Sequence, residues 1–153
     1  MPSRPTDRRI TTEKLMHWML LPYRRYFEFS GRSRRKEYWM FVLLNILVSI
    51  AIDIVFGQSS YQQVGSFIGF SNYVTGTGGM IHNFFGLVSL IPGLAVSVRR
   101  LHDQDRSGWM LLLGLIPFLG WFALVVFMFL EGTNGTNRFG PDPKHPTDAD
   151  VFA

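Results

Sequence analysis

The sequence predicts an all-α integral membrane protein: three transmembrane helices preceded by an interfacial amphipathic helix. Three observations lead there. Charge falls in short patches with almost none between them, three apolar runs each approach bilayer thickness, and Lys and Arg crowd onto one set of loops. A helix rising ~1.5 Å per residue needs ~20 residues to cross a ~30 Å hydrocarbon core. The whole chain, 1–153, reads as a single membrane domain.

The predicted spans are 38–56, 81–98 and 109–130. The first contains one charge, Asp53, near its far end. The second has none, and His82 and Asn83 mark its start. The third has no formal charge at all. A soluble helical bundle is the bland alternative, and its helices would carry a polar stripe at helical period. Pro92 and Pro117 sit in the echoing stretches "LIPGL" and "LIPFLG". Such an echo occurs in inverted-repeat transporters, but two ordinary kinks explain it more simply. Ser89, Gly93 and Ser97 recur every fourth residue, a small-residue stripe suited to close helix approach in lipid.

The basic interfacial segment, 1–37, holds ten of the 15 Lys and Arg against four acids. Such an arm suits nucleic acid or an anionic membrane surface. The apolar runs behind it select the membrane and exclude nucleic acid. Thr11 or Thr12 caps a helix with Glu13 in its first turn, which "KLMHWMLL" continues until Pro22 interrupts. "YRRYFEF" then mixes Arg with aromatics, as a helix in the headgroup layer does.

Loop charge predicts orientation. The loop 57–80 has neither Lys nor Arg, whereas 99–108 has Arg99, Arg100 and Arg106. The positive-inside bias puts the amino terminus and the basic loop in the cytoplasm. With three spans, the middle loop and the polar tail 131–153 lie outside. The first apolar run starts too late and is too long for a cleavable signal. Asp53 and His82 then share a depth near the outer edge and form a candidate polar pair.

"GRSRRKEYW" and "VRRLHDQDRSGW" both end at the cytoplasmic face. They supply the candidate headgroup- or partner-binding residues Arg32, Arg35, Glu37, Arg99, Arg100, His102, Asp103 and Arg106. Tyr38, Trp39 and Trp109 are the interface anchors. Guanidinium groups suit phosphate oxygens because they present several N–H donors. His102 beside Asp103 and Asp105 has acid–base potential. It lacks the further ligands a metal site needs, so no catalytic residue, metal or cofactor is assigned. Cys is absent, which removes disulfides and thiolate metal sites.

"FSGRSRRKEYWMF" (29–41), "VRRLHDQDRSGWM" (98–110) and "GTNGTNRFGPDP" (132–143) together resemble the YhaH-like family of small bacterial inner-membrane proteins, domain of unknown function 805. Phe29, Gly31, Arg32, Arg35, Glu37, Tyr38 and Trp39 match the first family pattern. Arg99 through Asp103 and Arg106 through Trp109 match the second. Asn137, Arg138, Gly140, Asp142 and Pro143 match the third, with Phe139 in place of the usual Tyr. The middle loop is longer than many relatives need. The resemblance implies the membrane architecture and no particular activity.

The third motif fits the three-span scheme badly, because that scheme strands it on the face opposite the other two. Glu131, Asn134, Asn137 and Asp142 are oxygen-bearing, though turn chemistry accounts for them more simply. The expected function is a non-enzymatic membrane component binding anionic lipid headgroups, a protein partner or a second copy of itself. A small transporter or channel subunit is the alternative, with Asn45, Asp53, His82 and the two prolines as its hints. A membrane-embedded hydrolase comes third.

Overall fold

The computed structural model describes residues 6–56, 58–64, 67–73 and 76–144. The polar tail beyond 144 and the amino-terminal arginine at position 4 lie outside them. The elements are α1 (Thr6–Arg24), α2 (Arg35–Phe56), β1 (Gln58–Val64), β2 (Phe67–Tyr73), α3 (Gly76–Asp103), a 3₁₀ helix (Gly108–Leu115) and α4 (Leu119–Phe129). They divide into two compact units, one of Met1–Val42 with Ile91–Ala153, the other of Leu43–Leu90.

Helices carry most of the described chain, as the sequence predicts, and two of them are long and apolar enough to cross a membrane: Arg35–Phe56 and Thr77–Asp103. Both extend the predicted spans at their basic ends, because Arg35, Lys36 and Glu37 of the first Arg-rich motif and Arg99 to Asp103 of the second are themselves helical. Glu37 occupies the first turn of α2, where a carboxylate opposes the positive end of the helix dipole. Pro22 does not end α1 but lies inside its last turn, buried.

The unit of residues 43–90 contains one departure from an all-α fold. The segment read as a plain loop carries an antiparallel hairpin, with Gln58 opposite Tyr73 and Val64 opposite Phe67. Tyr, Val, Phe and Ile interspersed among Ser and Gln supply strand propensity there. In the same unit Asp53 and His82 approach to 4.0 Å (Oδ1 to Nδ1).

The other unit corrects the third span. Residues 109–130 are not one transmembrane helix. The 3₁₀ leg runs to Leu115, the chain reverses at Ile116–Phe118, and α4 returns beside the first leg. Pro117 has no N–H to continue a helix. Its carbonyl accepts from the Leu119 N–H at 2.7 Å. Phe118, between them, has φ 60° and ψ −67°, the strained positive-φ form of a γ-turn. Hydropathy alone reads 22 uncharged residues as a span because it does not register this reversal.

Two contacts seal the hairpin. The Trp121 indole N–H donates to the Gly114 carbonyl at 2.7 Å, joining the legs. A Cβ at Gly120 would stand 1.7 Å from the Leu113 carbonyl oxygen, so only glycine allows the legs to approach this closely. Gly93, from the small-residue stripe, faces Phe41 of α2 and so packs within the chain.

Gly120→Ala should therefore destabilise the protein by about 3 kcal/mol through overpacking. At Gly86 a Cβ meets nothing within 4 Å, so Gly86→Ala should be neutral or stabilising. Thermal unfolding of both variants in detergent reads the difference, and equal midpoints would refute the close approach at Gly120.

Candidate functional site

The three sequence motifs converge on one end of the larger unit. Arg99 and Arg100 lie near the end of α3 with fully buried side chains, 0% exposed. Arg32, in the turn before α2, is buried beside them, as are Glu37, Asp103 and Ser33. Neighbouring guanidiniums repel, so each must be matched locally.

Asp103 matches two of them. Its Oδ1 accepts from Arg32 Nε at 3.0 Å and its Oδ2 from Arg100 Nη1 at 2.5 Å. Glu37 matches the third through Arg99 Nη2 at 3.0 Å. Most of the remaining donors go to backbone carbonyls, though the buried Arg99 Nε meets no acceptor among the described residues. Arg99 Nη1 reaches Arg25 O at 3.3 Å and also Glu28 O, fixing the turn after α1. Arg32 reaches Thr133 O at 2.5 Å and Gly135 O at 2.6 Å, fixing the tail.

Arg100 acts on α4. The last carbonyls of a helix lack intrahelical partners. Here Gln104 Nε2 donates to Phe127 O, Arg100 Nε to Met128 O at 3.5 Å, Arg35 Nη1 to Phe129 O at 3.1 Å, and Arg100 Nη2 to Leu130 O. Side chains from the first two motifs thus cap the returning helix, and cations are the favoured partners at that end of the dipole.

Beyond α4 the tail crosses Asp103. A Cβ on Gly132 would lie 2.0 Å from the Asp103 Oδ2, so glycine is required for the chain to pass. Thr133 N–H donates to Asp103 O at 2.8 Å and Asn137 Nδ2 to His102 O at 2.9 Å. The third motif is therefore beside the first two, which corrects its expected place on the opposite face.

Helix α3 ends in a Schellman motif. Arg106 N–H donates to Leu101 O and Asp105 N–H to His102 O, each at 3.0 Å, with Asp105 in the left-handed region at φ 57°. Asp105 then pairs with Arg138 of the tail at 3.1 Å. His102 presents Nδ1 to Gly31 O at 3.2 Å, and its ring stacks on Phe139 at 3.8 Å. Asn137 and Asp142 bond backbone N–H groups two residues on, as Asx turns do.

Of the predicted binding residues, Arg32, Glu37, Arg99, Arg100 and Asp103 are thus interior. Arg35 is half-exposed and paired with Glu131. Arg106 is half-buried, with its guanidinium 4.2 Å from the centre of the Phe127 ring. The anchors Tyr38 and Trp39 meet edge to face at 5.3 Å, and Trp39 packs on Phe129 at 4.3 Å, while Trp109 is exposed. One surface feature went unpredicted: Arg34 and Lys36 both lie over the Trp18 ring, at 5.7 and 5.8 Å. The alternation of "GRSRRKE" signals it, since successive basic residues cannot all turn inward. Outside the cluster, the hydrogen bond from Arg25 holds the Glu28 carboxyl below the usual carboxylate range and raises the Arg25 guanidinium in turn.

Residues 26–141 match the family model described as protein of unknown function (DUF805). The chain belongs to this family. It is 43% identical to Inner membrane protein YhaH of Escherichia coli K12 over 129 residues, covering 84% of this chain and 98% of that one. It is 41% identical to Inner membrane protein YhaI of the same strain over 129 residues, covering 84% and 97%. Uncharacterized protein YiiR of that strain is 27% identical over 145 residues, covering 77% and 87%. No solved structure matches the chain. All three motifs lie within or across the edge of the matched span.

Removing one partner of a buried ion pair leaves an uncompensated charge and costs about 3–5 kcal/mol. Asp103→Ala should incur at least that, since it strands both Arg32 and Arg100. Glu131→Gln, which loosens the exposed Arg35 pair, should cost less than about 1 kcal/mol. Detergent melting curves distinguish them, and comparable losses would contradict the central role of Asp103.

Proposed function

We propose that this protein is a non-enzymatic, multi-pass inner-membrane component whose basic cytoplasmic end binds anionic lipid headgroups. The amino terminus and the three motifs face the cytoplasm, as the basic loop 99–108 and the positive-inside bias favour. The names of the relatives YhaH and YhaI support the inner membrane as its location.

One observation carries the binding reading. The interior arginines are engaged by carboxylates and carbonyls, whereas among the described residues Arg34 and Lys36 meet a Trp18 ring and no carboxylate. Arg106 does the same with Phe127. A cation on an aromatic face keeps donors free for phosphate oxygens. Indole rings prefer the headgroup layer, so Trp18 and these cations belong at one depth. The buried cluster gives that surface a rigid floor.

Each juxtamembrane cation adds ~1 kcal/mol of attraction to an anionic surface. Arg34→Gln with Lys36→Gln should therefore weaken anionic-lipid retention by about thirtyfold and leave thermal stability nearly intact. Native mass spectrometry of the purified protein, with and without added phosphatidylglycerol, measures both. Unchanged lipid retention would remove the headgroup reading, and loss of a co-purified protein in its place would point to a partner surface.

A further inference from the structure

We infer that residues 109–130 form a one-leaflet insertion whose tip packs against acyl chains at the bilayer midplane, entering and leaving through the face that carries the three motifs. This rests on the membrane location proposed above and is independent of headgroup binding.

The length of each leg is the first argument. Eight 3₁₀ residues rise about 2.0 Å each, or roughly 16 Å. Eleven α-helical residues rise about 1.5 Å each, again roughly 16 Å. Half of a hydrocarbon core is about 15 Å. The legs thus match each other and match one leaflet.

The tip is the second. Phe118 is 88% exposed and Leu115 80%, with Leu119 and Phe122 also open to the surroundings. Irregular backbone is costly in hydrocarbon unless its polar groups are satisfied. Here the carbonyls of Ile116, Pro117 and Phe118 accept from Gly120, Leu119 and Phe122, and Pro117 brings no donor. The Gly114 carbonyl on the first leg takes the Trp121 indole. The turn enters an apolar medium with these carbonyls already paired.

The feet are the third. Arg35, Arg100 and Gln104 cap the carbonyls at the end of α4, and the Ser107 hydroxyl accepts from the Trp109 N–H where the first leg begins. Polar groups thus bracket the hairpin at one end only. The side chains exposed at the tip are Leu and Phe, and the length of the legs sets them at the depth of the acyl termini. Acyl chains are the occupant that fits.

The chain has no cysteine, so single-cysteine variants report position directly. Phe118→Cys, Leu115→Cys, Lys144→Cys and Gln62→Cys would be treated with a membrane-impermeant maleimide in spheroplasts and in everted vesicles. Lys144→Cys should label only in everted vesicles and Gln62→Cys only in spheroplasts. Phe118→Cys and Leu115→Cys should label in neither. A fluorophore at position 118, attached in detergent and reconstituted, should be quenched most by lipids spin-labelled near the acyl terminus. Labelling of Phe118→Cys from the Gln62 side would show that the run crosses. Disulfide-linked dimers through position 118, or no quenching by any lipid, would replace acyl chains with a second copy or a partner. Either result overturns the inference. If Lys144 and Gln62 exchange sides while 118 stays protected and quenched, the insertion stands and the cytoplasmic orientation falls.

Discussion

Asp103 holds two buried guanidiniums with its two carboxylate oxygens while its backbone carbonyl takes the tail at Thr133. Through Arg32 it connects to the first motif, through Arg100 to the end of α4, and through Thr133 to the third. Burying a cation costs several kcal/mol even after relaxation, so the cluster forms only when every partner is in place. Arg32, Arg99 and Arg100 outnumber Glu37 and Asp103 by one charge. The deficit is met by carbonyl dipoles at Leu130 after α4 and Arg25 after α1, where a helix presents its negative pole. The fold at this end is thus a set of loops and helix ends gathered around arginines.

That dependence explains why the chain has to double back. Arg100 caps carbonyls at Met128 and Leu130 only if α4 ends where α3 ends. A single helix over 109–130 would carry those carbonyls to the far side and leave Arg100 Nε and Nη2, and Arg35, without these acceptors. Two short legs satisfy the arginines and keep the uncharged residues together. Gly120 and Gly132 mark points where backbone passes too close for a side chain, one between the legs and one over Asp103.

Much of this was legible in the sequence, and the reason for the rest is specific. The two long spans, the basic end and the proximity of Asp53 to His82 follow from hydropathy, charge and depth. The kinship of the first two motifs was visible because both end at the same face. The role of the arginines was ambiguous because one residue type serves three purposes: orienting loops, binding phosphate and capping carbonyls. Composition does not separate these, and only the presence of acceptors within reach does. The third run misled because 22 uncharged residues satisfy a length test that two legs of half the length satisfy equally. The discord over "NRFGPDP", stranded from the motifs it accompanies, was the available signal, together with Pro117 and the nearby Gly120.

The turn at Phe118 joins these arguments. A bulky residue at positive φ stores about 1–3 kcal/mol of strain. Taking one Phe side chain out of water returns about 1.5–3 kcal/mol. In water the exposed tip would have the strain without that return. In hydrocarbon Phe118, Leu115, Leu119 and Phe122 together outweigh it several-fold. On the one-leaflet insertion inferred above, the medium around the tip offsets the strain of the turn, while the buried arginines fix where its feet stand. One end of the hairpin answers to electrostatics and the other to apolar transfer, and the 3₁₀ leg and α4 are long enough to keep those two environments apart.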